Sequence, residues 1–315
     1  MALVGDEVAG HPVREGRWIR RSLSKLQKAL ARTGKTLSPM TLRRLLLADG
    51  IRPRSNVKHL TPQPHPDRDR QFRYLLAKRR AFEADKQPVL SIDTKNKEKI
   101  GPYGRTGLVW TAHGEEVYTL DFPQRDTRKA VPYGLYDVQR NHAVVCVGLS
   151  GNTCDLAVDA LEFWWRTEGR RFYPHATRLL LLADGGGSNG YRPRQWKKRL
   201  QGFADTTGWA VTVCHYPTGA SKWNPIEHRV FNQITQTWAG LPLTSLALLM
   251  AALDATTTST GLVVRAHLLP GHYPTGVKVT DLDFATLDVR PHRVCPLWNY
   301  TIWPRQTGKL FLDAS

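Results

Sequence analysis

The segment from residue 177 to 184, TRLLLLAD, constrains the fold more than any other part of this sequence. Four leucines and an alanine follow one another with no polar residue between them. Such a run is typical of a strand that is covered on both faces, whereas a strand with one wet face alternates apolar and polar residues. Strands of this kind belong to sheets flanked by helices, so the segment predicts an α/β domain.

The order of strands and helices around this run narrows the fold class. Apolar strand patterns come first, and later strands alternate with helices whose apolar residues recur at helical spacing. The predicted strands are residues 88–95, 106–111, 116–121, 133–138, 142–150, 177–184 and 209–217. The predicted helices of this part are residues 153–169, 192–208 and 224–240. Antiparallel strands followed by βα units indicate a ribonuclease H-like fold, which is a mixed sheet with flanking helices.

Residues 22–51 predict two helices joined by a turn. The second helix has Ser38 as its N-cap and Pro39 at its first position, which is a strong start signal. The apolar residues of the two helices are Leu23, Leu26, Leu30, Leu42, Leu45 and Leu46. Arg43 and Arg44 lie off the apolar side, so we predict a helix-turn-helix whose second helix contacts DNA. A helical hairpin that packs on the main domain is the alternative.

Positive charge is concentrated in the first quarter of the chain. The 315 residues contain 45 Lys and Arg against 27 Asp and Glu, and residues 1–80 hold 19 and 6 of these. Such a concentration indicates a polyanionic partner, with nucleic acid first. We therefore predict a helix-turn-helix region (residues 1–60), a linker with a connecting helix near 68–84 (61–85), and a catalytic domain with a C-terminal extension (86–315).

Cysteine spacing and hydropathy argue against several other classes of protein. None of the four cysteines forms a CxxC pair, so we expect neither a zinc site nor a disulfide framework. The first residues have no signal-peptide pattern, and no apolar run reaches the length of a membrane span. We therefore expect a cytoplasmic protein with no membrane partner.

Three acids follow the predicted elements at positions where they can meet. Asp93 lies in the first strand of the catalytic domain, Asp184 ends the long apolar strand, and Glu227 lies in the first turn of a later helix. Clustered carboxylates repel one another, and two Mg²⁺ or Mn²⁺ ions would relieve that repulsion and flank a phosphodiester. Structural interpretations remain open, with Asp93 as a polar strand end and Glu227 in a capping box whose N-cap is Asn224.

The segment GGGSNG after Asp184 has two interpretations. Gly185, Gly187 and Gly190 satisfy the dinucleotide pattern GxGxxG, but Asp184 would face a pyrophosphate and the next strand offers no acid for a ribose hydroxyl. A P-loop is excluded because no Gly-Lys-Ser/Thr follows. We favour a passage free of side chains through which DNA reaches the acids. The candidate DNA contacts here are Ser188, Asn189, Arg192, Lys222, Trp223 and His228.

Seven motifs in this sequence together point to one family. They are SIDTKNKE, DFP, PYGLYDV, FWWRTEGRRFYP, LLLLADGGGSNG, SKWNPIEHRVF and WNYTIWP. On these motifs the chain resembles bacterial insertion-sequence DDE transposases of the ISAzo type, the Rhodopirellula transposase DDE domain family. The resemblance implies a catalytic, metal-binding triad of Asp93, Asp184 and Glu227, two Mg²⁺ or Mn²⁺ ions, DNA cleavage at element ends and strand transfer into target DNA.

The resemblance also sets expectations about partners and about the extent of the chain. It implies double-stranded DNA partners (terminal inverted repeats and target DNA), a homo-oligomer on DNA, and a nucleoid-associated place in the bacterial cytoplasm. Family members have more sequence before the helix-turn-helix, so an N-terminal truncation is one expectation. The alternative functions are a catalytically inactive DNA-binding remnant or repressor of the parent element, and a ribonuclease H-like nuclease without strand transfer.

Overall fold

The structure is a computed structural model that describes residues 8–10, 17–19, 22–52, 65–109, 111, 113–118 and 128–305. The chain divides into two compact units, Met1–Leu60 and Thr61–Ser315. In the first unit, two short strands pair antiparallel and two helices follow. These elements are β1 (Val8–Gly10), β2 (Arg17–Ile19), α1 (Leu23–Arg32) and α2 (Pro39–Ala48).

A serine cap and a leucine cluster explain the two helices of the first unit. Ser38 Oγ accepts the backbone N–H of Thr41 at 3.0 Å, and Pro39 fills the first helical position, as predicted. The cluster between the helices consists of Leu23, Leu26, Leu30, Leu37, Leu42 and Leu46. Leu45, predicted on the apolar side, is instead 42% exposed, because Leu42 and Leu46 already form the stripe that meets α1. Arg43 and Arg44 are exposed.

In the described part of the second unit, nine strands form one mixed sheet. They are β3 (Val89–Thr94), β4 (Glu98–Lys99), β5 (Lys129–Asp137), β6 (His142–Gly148), β7 (Arg178–Ala183), β8 (Ala210–His215), β9 (Val263–Leu269), β10 (Val289–Pro291) and β11 (Asn299–Ile302). Their order across the sheet is β10-β11-β8-β7-β3-β5-β6-β9, and β4 pairs with β5. On one side of the sheet, β5 pairs antiparallel with both β3 and β6. On the other side, β7 and β8 run parallel to β3. This arrangement confirms the predicted ribonuclease H-like fold.

Helices cover both faces of this sheet. They are α3 (Arg68–Ala84), α4 (Cys154–Trp164), α5 (Arg170–Phe172), α6 (Arg194–Thr207), α7 (Asn232–Thr237), α8 (Leu246–Asp254) and α9 (Asp281–Ala285). Leu181 of β7 packs in the core cluster of α4 and α6, whereas Leu180 and Leu182 pack in the cluster of α3. The strand is therefore buried on both faces, which is why its sequence is a continuous apolar run.

Some predictions about strands were wrong. Residues 106–109 form no strand, and Leu108 is 98% exposed. Tyr118 forms an isolated bridge with Tyr103, whereas Trp110 and residues 119–121 of the two predicted segments lie outside the described residues. The strands β9, β10 and β11 were not predicted. Most residues of β9 and β10 are partly or fully exposed, and both lie toward the outside of the sheet.

The predicted linker and connecting helix are described in part. Residues 53–64, which include the start of the linker, lie outside the described residues. The helix predicted near 68–84 is present as α3, where Leu75 and Phe82 pack against β3, β7 and β8. In the described regions, no helix has the length and apolar character needed to cross a membrane.

Candidate active site

Two of the predicted acids lie side by side at one edge of the sheet. Because β3 and β7 run parallel with Ile92 opposite Ala183, the residues that follow, Asp93 and Asp184, emerge at the same edge. The backbone of Asp184 is held from the neighbouring strand, since the ring N–H at His215 Nδ1 donates to the Asp184 carbonyl oxygen at 2.8 Å. The pairing of β3 with β7 is therefore enough to bring the two carboxylates next to each other.

The third acid comes from the other side of the site on a π-helical turn. Glu227–Phe231 forms this turn and leads directly into α7. Ser91 of β3 attaches it to the sheet, because Ser91 Oγ accepts the backbone N–H of Ile226 at 2.9 Å. π-Turns inside helices occur frequently at functional sites.

Asn224 connects this turn to the two aspartates. Its Oδ1 accepts the Ser91 hydroxyl at 2.5 Å, and its Nδ2 donates to the carbonyl oxygen of Ile92 at 3.1 Å and to Asp184 Oδ1 at 3.2 Å. We call this arrangement the Ser91–Asn224 link. Both side chains are fully buried.

The capping interpretation of the segment NPIE does not describe what the side chains do. The backbone N–H of Asn224 donates to the Ser221 carbonyl oxygen at 2.8 Å, so the Glu227 carboxylate is not its acceptor. The side-chain oxygen of Asn224 accepts from Ser91 rather than from the helix amides. Glu227 instead interacts with Asp93.

The pKa shifts of the two aspartates reflect their neighbouring charges. Burial raises the pKa of Asp93 well above its usual range, the charges of Asp184 and Glu227 raise it further, and the Thr94 backbone N–H opposes the rise. Burial also raises the pKa of Asp184 to about 6, where the Asn224 hydrogen bond lowers it and the Glu227 charge raises it. The Glu227 charge therefore disfavours ionisation of both aspartates, and the Asp184 charge disfavours that of Asp93, which is the situation that a bound cation relieves.

The donors fit divalent cations by chemistry and charge. Carboxylate oxygens are hard ligands of the kind that Mg²⁺ and Mn²⁺ prefer. Among the residues that the structure describes, no group of three or more His, Cys, Asp or Glu side chains is arranged to hold a metal ion as it stands. The fit therefore rests on three mutually repelling carboxylates and not on preformed coordination geometry.

Two clefts meet at the acids. Asp93 and Asp184 line an open cleft of about 750 Å³, whose wall includes the glycine loop and Arg192. Glu227 lines a second cleft of about 420 Å³ together with Lys222 and His228. Thr94 borders both clefts, so the acids lie between two open spaces on the same side of the domain.

The glycines after Asp184 differ in what they permit. At Gly186 and Gly187 an added Cβ would meet nothing within 4 Å, so no protein packing requires the missing side chains. The positive φ of 71° at Gly187 is a backbone reason for glycine. At Gly190 an added Cβ would lie 3.0 Å from the Gly185 carbonyl oxygen, so the loop closes on itself there. Gly186 and Gly187 leave open space above the acids, consistent with a passage for a substrate strand.

The predicted DNA contacts of this unit fall into two groups. Arg192, Lys222, Trp223 and His228 are exposed. Ser188 and Asn189 have side chains that are only 6% and 1% exposed, because the short turn Gly187–Asn189 points them into the protein. Asn189 Nδ2 has no hydrogen-bond partner within the described residues. Ser188 and Asn189 are therefore largely covered within the loop, although each lines a cleft, and their contacts to DNA stay a prediction.

Comparison with known proteins assigns the chain to a family. Residues 1–304 match the family model described as the Rhodopirellula transposase DDE domain. The chain belongs to this DDE transposase family. The match covers all three acids, both clefts and the glycine loop of the transposase.

The transposase also resembles solved structures of Mos1 transposase. The Mos1 paired-end complex with the left transposon end aligns at 15% identity and a TM-score of 0.43, covering 74% of this chain and 66% of that chain. The Mos1 mariner paired-end complex with Mn aligns at 15% identity and a TM-score of 0.45, with the same coverage. The transposase thus spans about two thirds of the Mos1 chain. A search of the curated proteins found no match.

Three residues that position the acids of the transposase were not predicted in these roles. Ser91 and Asn224 form the link described above, and Gly134 of β5 lies opposite Asp93. A Cβ at Gly134 would lie 2.7 Å from Ile226 Cδ1 and 2.8 Å from Phe231 Cε1, so only glycine lets the Glu227 turn approach the sheet this closely. The motifs PYGLYDV and NPIE contain Gly134 and Asn224 but do not reveal their spatial partners.

Proposed function

We propose that this transposase cleaves DNA at the ends of an insertion sequence and joins the freed ends to target DNA in a metal-dependent reaction. The observation that supports this most is the meeting of Asp93, Asp184 and Glu227, where burial and the neighbouring Glu227 charge raise the pKa values of both aspartates. Membership of the DDE transposase family agrees with a polynucleotidyl-transferase type of activity.

In this proposal the three carboxylates hold two Mg²⁺ or Mn²⁺ ions. Asp93 is the shared ligand because it interacts with both other acids, whereas Asp184 and Glu227 each contribute mainly to one ion. Such ions supply an activated nucleophile and stabilise the charge that develops on the leaving oxygen. The protein's own part is to hold the acids in place. His215 holds the Asp184 backbone carbonyl oxygen, and the hydrogen bond from Asn224 lowers the pKa of the Asp184 carboxyl and so favours its ionised form.

The exposed cationic and aromatic residues are the proposed DNA contacts. Arg192 borders the first cleft, and Lys222 and His228 border the second, so a strand that crosses the acids passes all three. Trp223 lies next to Lys222 on the same short turn. We assign residues 1–60, through Arg43, Arg44 and the two helices, to recognition of the terminal repeats, with a homo-oligomer assembled on the DNA.

Asp184→Asn tests the catalytic part of the proposal. Asn keeps the shape of the side chain and removes the charge, so cleavage and joining should fall below detection while DNA binding stays unchanged. The matched control is Asp205→Asn, because the Asp205 carboxylate pairs with Arg305 and not with the acids. Purified proteins would be compared with Mg²⁺ or Mn²⁺ on DNA that carries the element's own ends.

Two outcomes would count against the proposal. Normal cleavage by Asp184→Asn would remove the acid cluster from the mechanism. Inactivity of the unmutated protein on its own ends, together with retained DNA binding, would favour a catalytically inactive DNA-binding remnant or repressor.

A further inference from the structure

Asn224 has a fully buried side chain whose two N–H donors and carbonyl oxygen are all engaged between two catalytic elements. One amide group contacts the end of β3 at the Ile92 carbonyl, the Asp184 carboxylate, and the Ser91 hydroxyl. An asparagine amide offers two N–H donors and one carbonyl acceptor, and all of these are engaged. None of these three hydrogen bonds has a cationic partner. The arrangement therefore depends on the positions of the hydrogen-bonding groups and not on charge pairing.

We propose that Asn224 is a positioning residue that orients the Asp184 carboxylate and the Glu227 turn together, so that the acids take up divalent cations as one unit. This inference rests on the proposed function of the site. The inference goes beyond the proposed function because it assigns the relative placement of Asp184 and Glu227 to one uncharged side chain, that of Asn224.

The geometry distinguishes this role from that of a helix cap. A capping asparagine accepts hydrogen bonds from the amides at the start of its helix. Here the amide of Ile226 is satisfied by Ser91 Oγ at 2.9 Å, which leaves Asn224 to bond sideways to β3 and to Asp184. The helix start is thus secured by Ser91, and the contact between Asn224 and Asp184 is additional to it.

The hydrogen bond from Asn224 also orients the Asp184 carboxylate, which donates no hydrogen bond of its own. An ionised aspartate only accepts hydrogen bonds, so its rotation is set by the donors around it. Nδ2 of Asn224 contacts Asp184 Oδ1, while the His215 ring holds the Asp184 carbonyl oxygen. Groups that orient metal ligands from outside typically contribute about 10- to 100-fold in metal affinity.

The test compares two buried asparagines. Asn224→Ala removes all three contacts, and Asn224→Asp keeps the shape but replaces the donor with a second acceptor that faces Asp184. The control is Asn299→Ala, because Asn299 is also fully buried and its amide bonds to Gln71 and the Val294 carbonyl instead of to the acids. Thermal unfolding of all variants would show whether they fold and how much stability each loses.

The readouts are Mn²⁺ binding to the purified protein, from the electron paramagnetic resonance signal of the free ion, and the Mn²⁺ concentration that gives half-maximal cleavage. We expect both Asn224 variants to need about tenfold or more Mn²⁺ in each measurement. Asn299→Ala should lose stability but keep the Mn²⁺ dependence of the unmutated protein.

The outcomes separate this inference from the proposed function. If Asn224→Ala folds and shows the same Mn²⁺ dependence as Asn299→Ala, Asn224 is structural only and the inference is wrong. If Asn224→Ala fails to fold, Asn224→Asp decides the question in the same way. If the unmutated protein neither binds Mn²⁺ nor cleaves DNA, the proposed function fails and the inference fails with it.

Discussion

Trp223 presents an exposed indole close in sequence to the third acid. It lies four residues before Glu227 and is 53% exposed. The Phe72 ring meets it edge-on with centroids 6.0 Å apart, and Lys222 Nζ lies 5.5 Å from the indole centroid. An aromatic face beside a cation can stack on a nucleobase while the cation meets the phosphates.

Trp223→Ala should weaken binding to single-stranded DNA. Loss of one base stack costs about 1–3 kcal/mol, and Trp223→Phe should restore part of it. Trp303→Ala is the matched control, because that indole is 41% exposed and has Arg290 5.3 Å from its centroid. Trp303 follows the end of β11 that pairs with the start of β8, away from the acids. Equal losses in fluorescence-anisotropy titrations of the two alanine variants would show that Trp223 has no specific role.

The sequence singled out the acids as candidates but not the residues that orient them. Asp93 and Asp184 could be found because each stands at the end of an apolar strand, where a buried charge is unexpected. Asn224 followed by a proline has the local pattern of a helix cap, and its real partners are 132 or 133 residues away on β3 and 40 residues away at Asp184. Contacts at that separation depend on strand order, which local pattern does not contain.

The π-helical turn that carries Glu227 packs on β5 through the side chains of Phe231 and of the preceding Ile226, and β5 has no side chain of its own there at Gly134. Gly134 supplies the necessary space, since a Cβ there would lie within 2.8 Å of atoms of both Ile226 and Phe231. Ile226, Val230 and Phe231 are all buried in the cluster beneath α7 and α8. The close approach of turn and strand therefore fixes the height of Glu227 above the sheet.

Gly134→Ala should push this turn away from the sheet. We expect a loss of about 1–3 kcal/mol in the free energy of unfolding, as in other overpacked cores, and reduced DNA cleavage. Gly202→Ala is the control, because Gly202 lies inside α6 with nothing within 4 Å of an added Cβ. That substitution should stabilise the protein by roughly 0.5–1 kcal/mol. Denaturant unfolding and cleavage would be measured, and a tolerated Gly134→Ala would mean that the turn can shift freely.

The central strands of the sheet were predictable and the peripheral ones were not. β3, β6, β7 and β8 are almost entirely buried, so their apolar character is visible in the sequence. In β9 most residues are at least partly exposed, although it pairs with β6 along its whole length. Residues 106–109 show the reverse error, since Leu108 and Val109 are apolar but exposed. An apolar sequence pattern indicates that a strand is buried. A strand near the edge of a sheet can form its hydrogen bonds without being buried.

The charge of the chain is unevenly divided between its two compact units. Residues 1–60 contain 13 Lys and Arg against 4 Asp and Glu. In the second unit many cations are paired with acids, as Arg199 is with Asp155 and Arg305 is with Asp205. Arg43 and Arg44 are exposed on α2. We therefore expect the first unit to supply much of the salt-dependent affinity for DNA.

The double variant Arg43→Gln, Arg44→Gln should flatten the salt dependence of DNA binding. Each phosphate contact that is lost reduces the slope of log affinity against log salt by about 0.9 for duplex DNA. Arg178→Gln is the control, because Arg178 is partly exposed and pairs with Asp85. Binding of duplex DNA would be titrated at several salt concentrations. An unchanged slope for the double variant would remove α2 from the DNA interface.

The Ser91–Asn224 link has a consequence for how such enzymes can diverge. The separation of Asp93 and Asp184 is set by neighbouring parallel strands, so any insertion within those strands would misalign them. Glu227 is tied to β3 by two side chains, Ser91 and Asn224, in addition to the connecting loop from Tyr216 to Trp223. Evolution can therefore lengthen or shorten that loop without moving the third acid. Among homologues, the number of residues between the second and third acids should vary, whereas a serine at the position of Ser91 and an asparagine at that of Asn224 should change together.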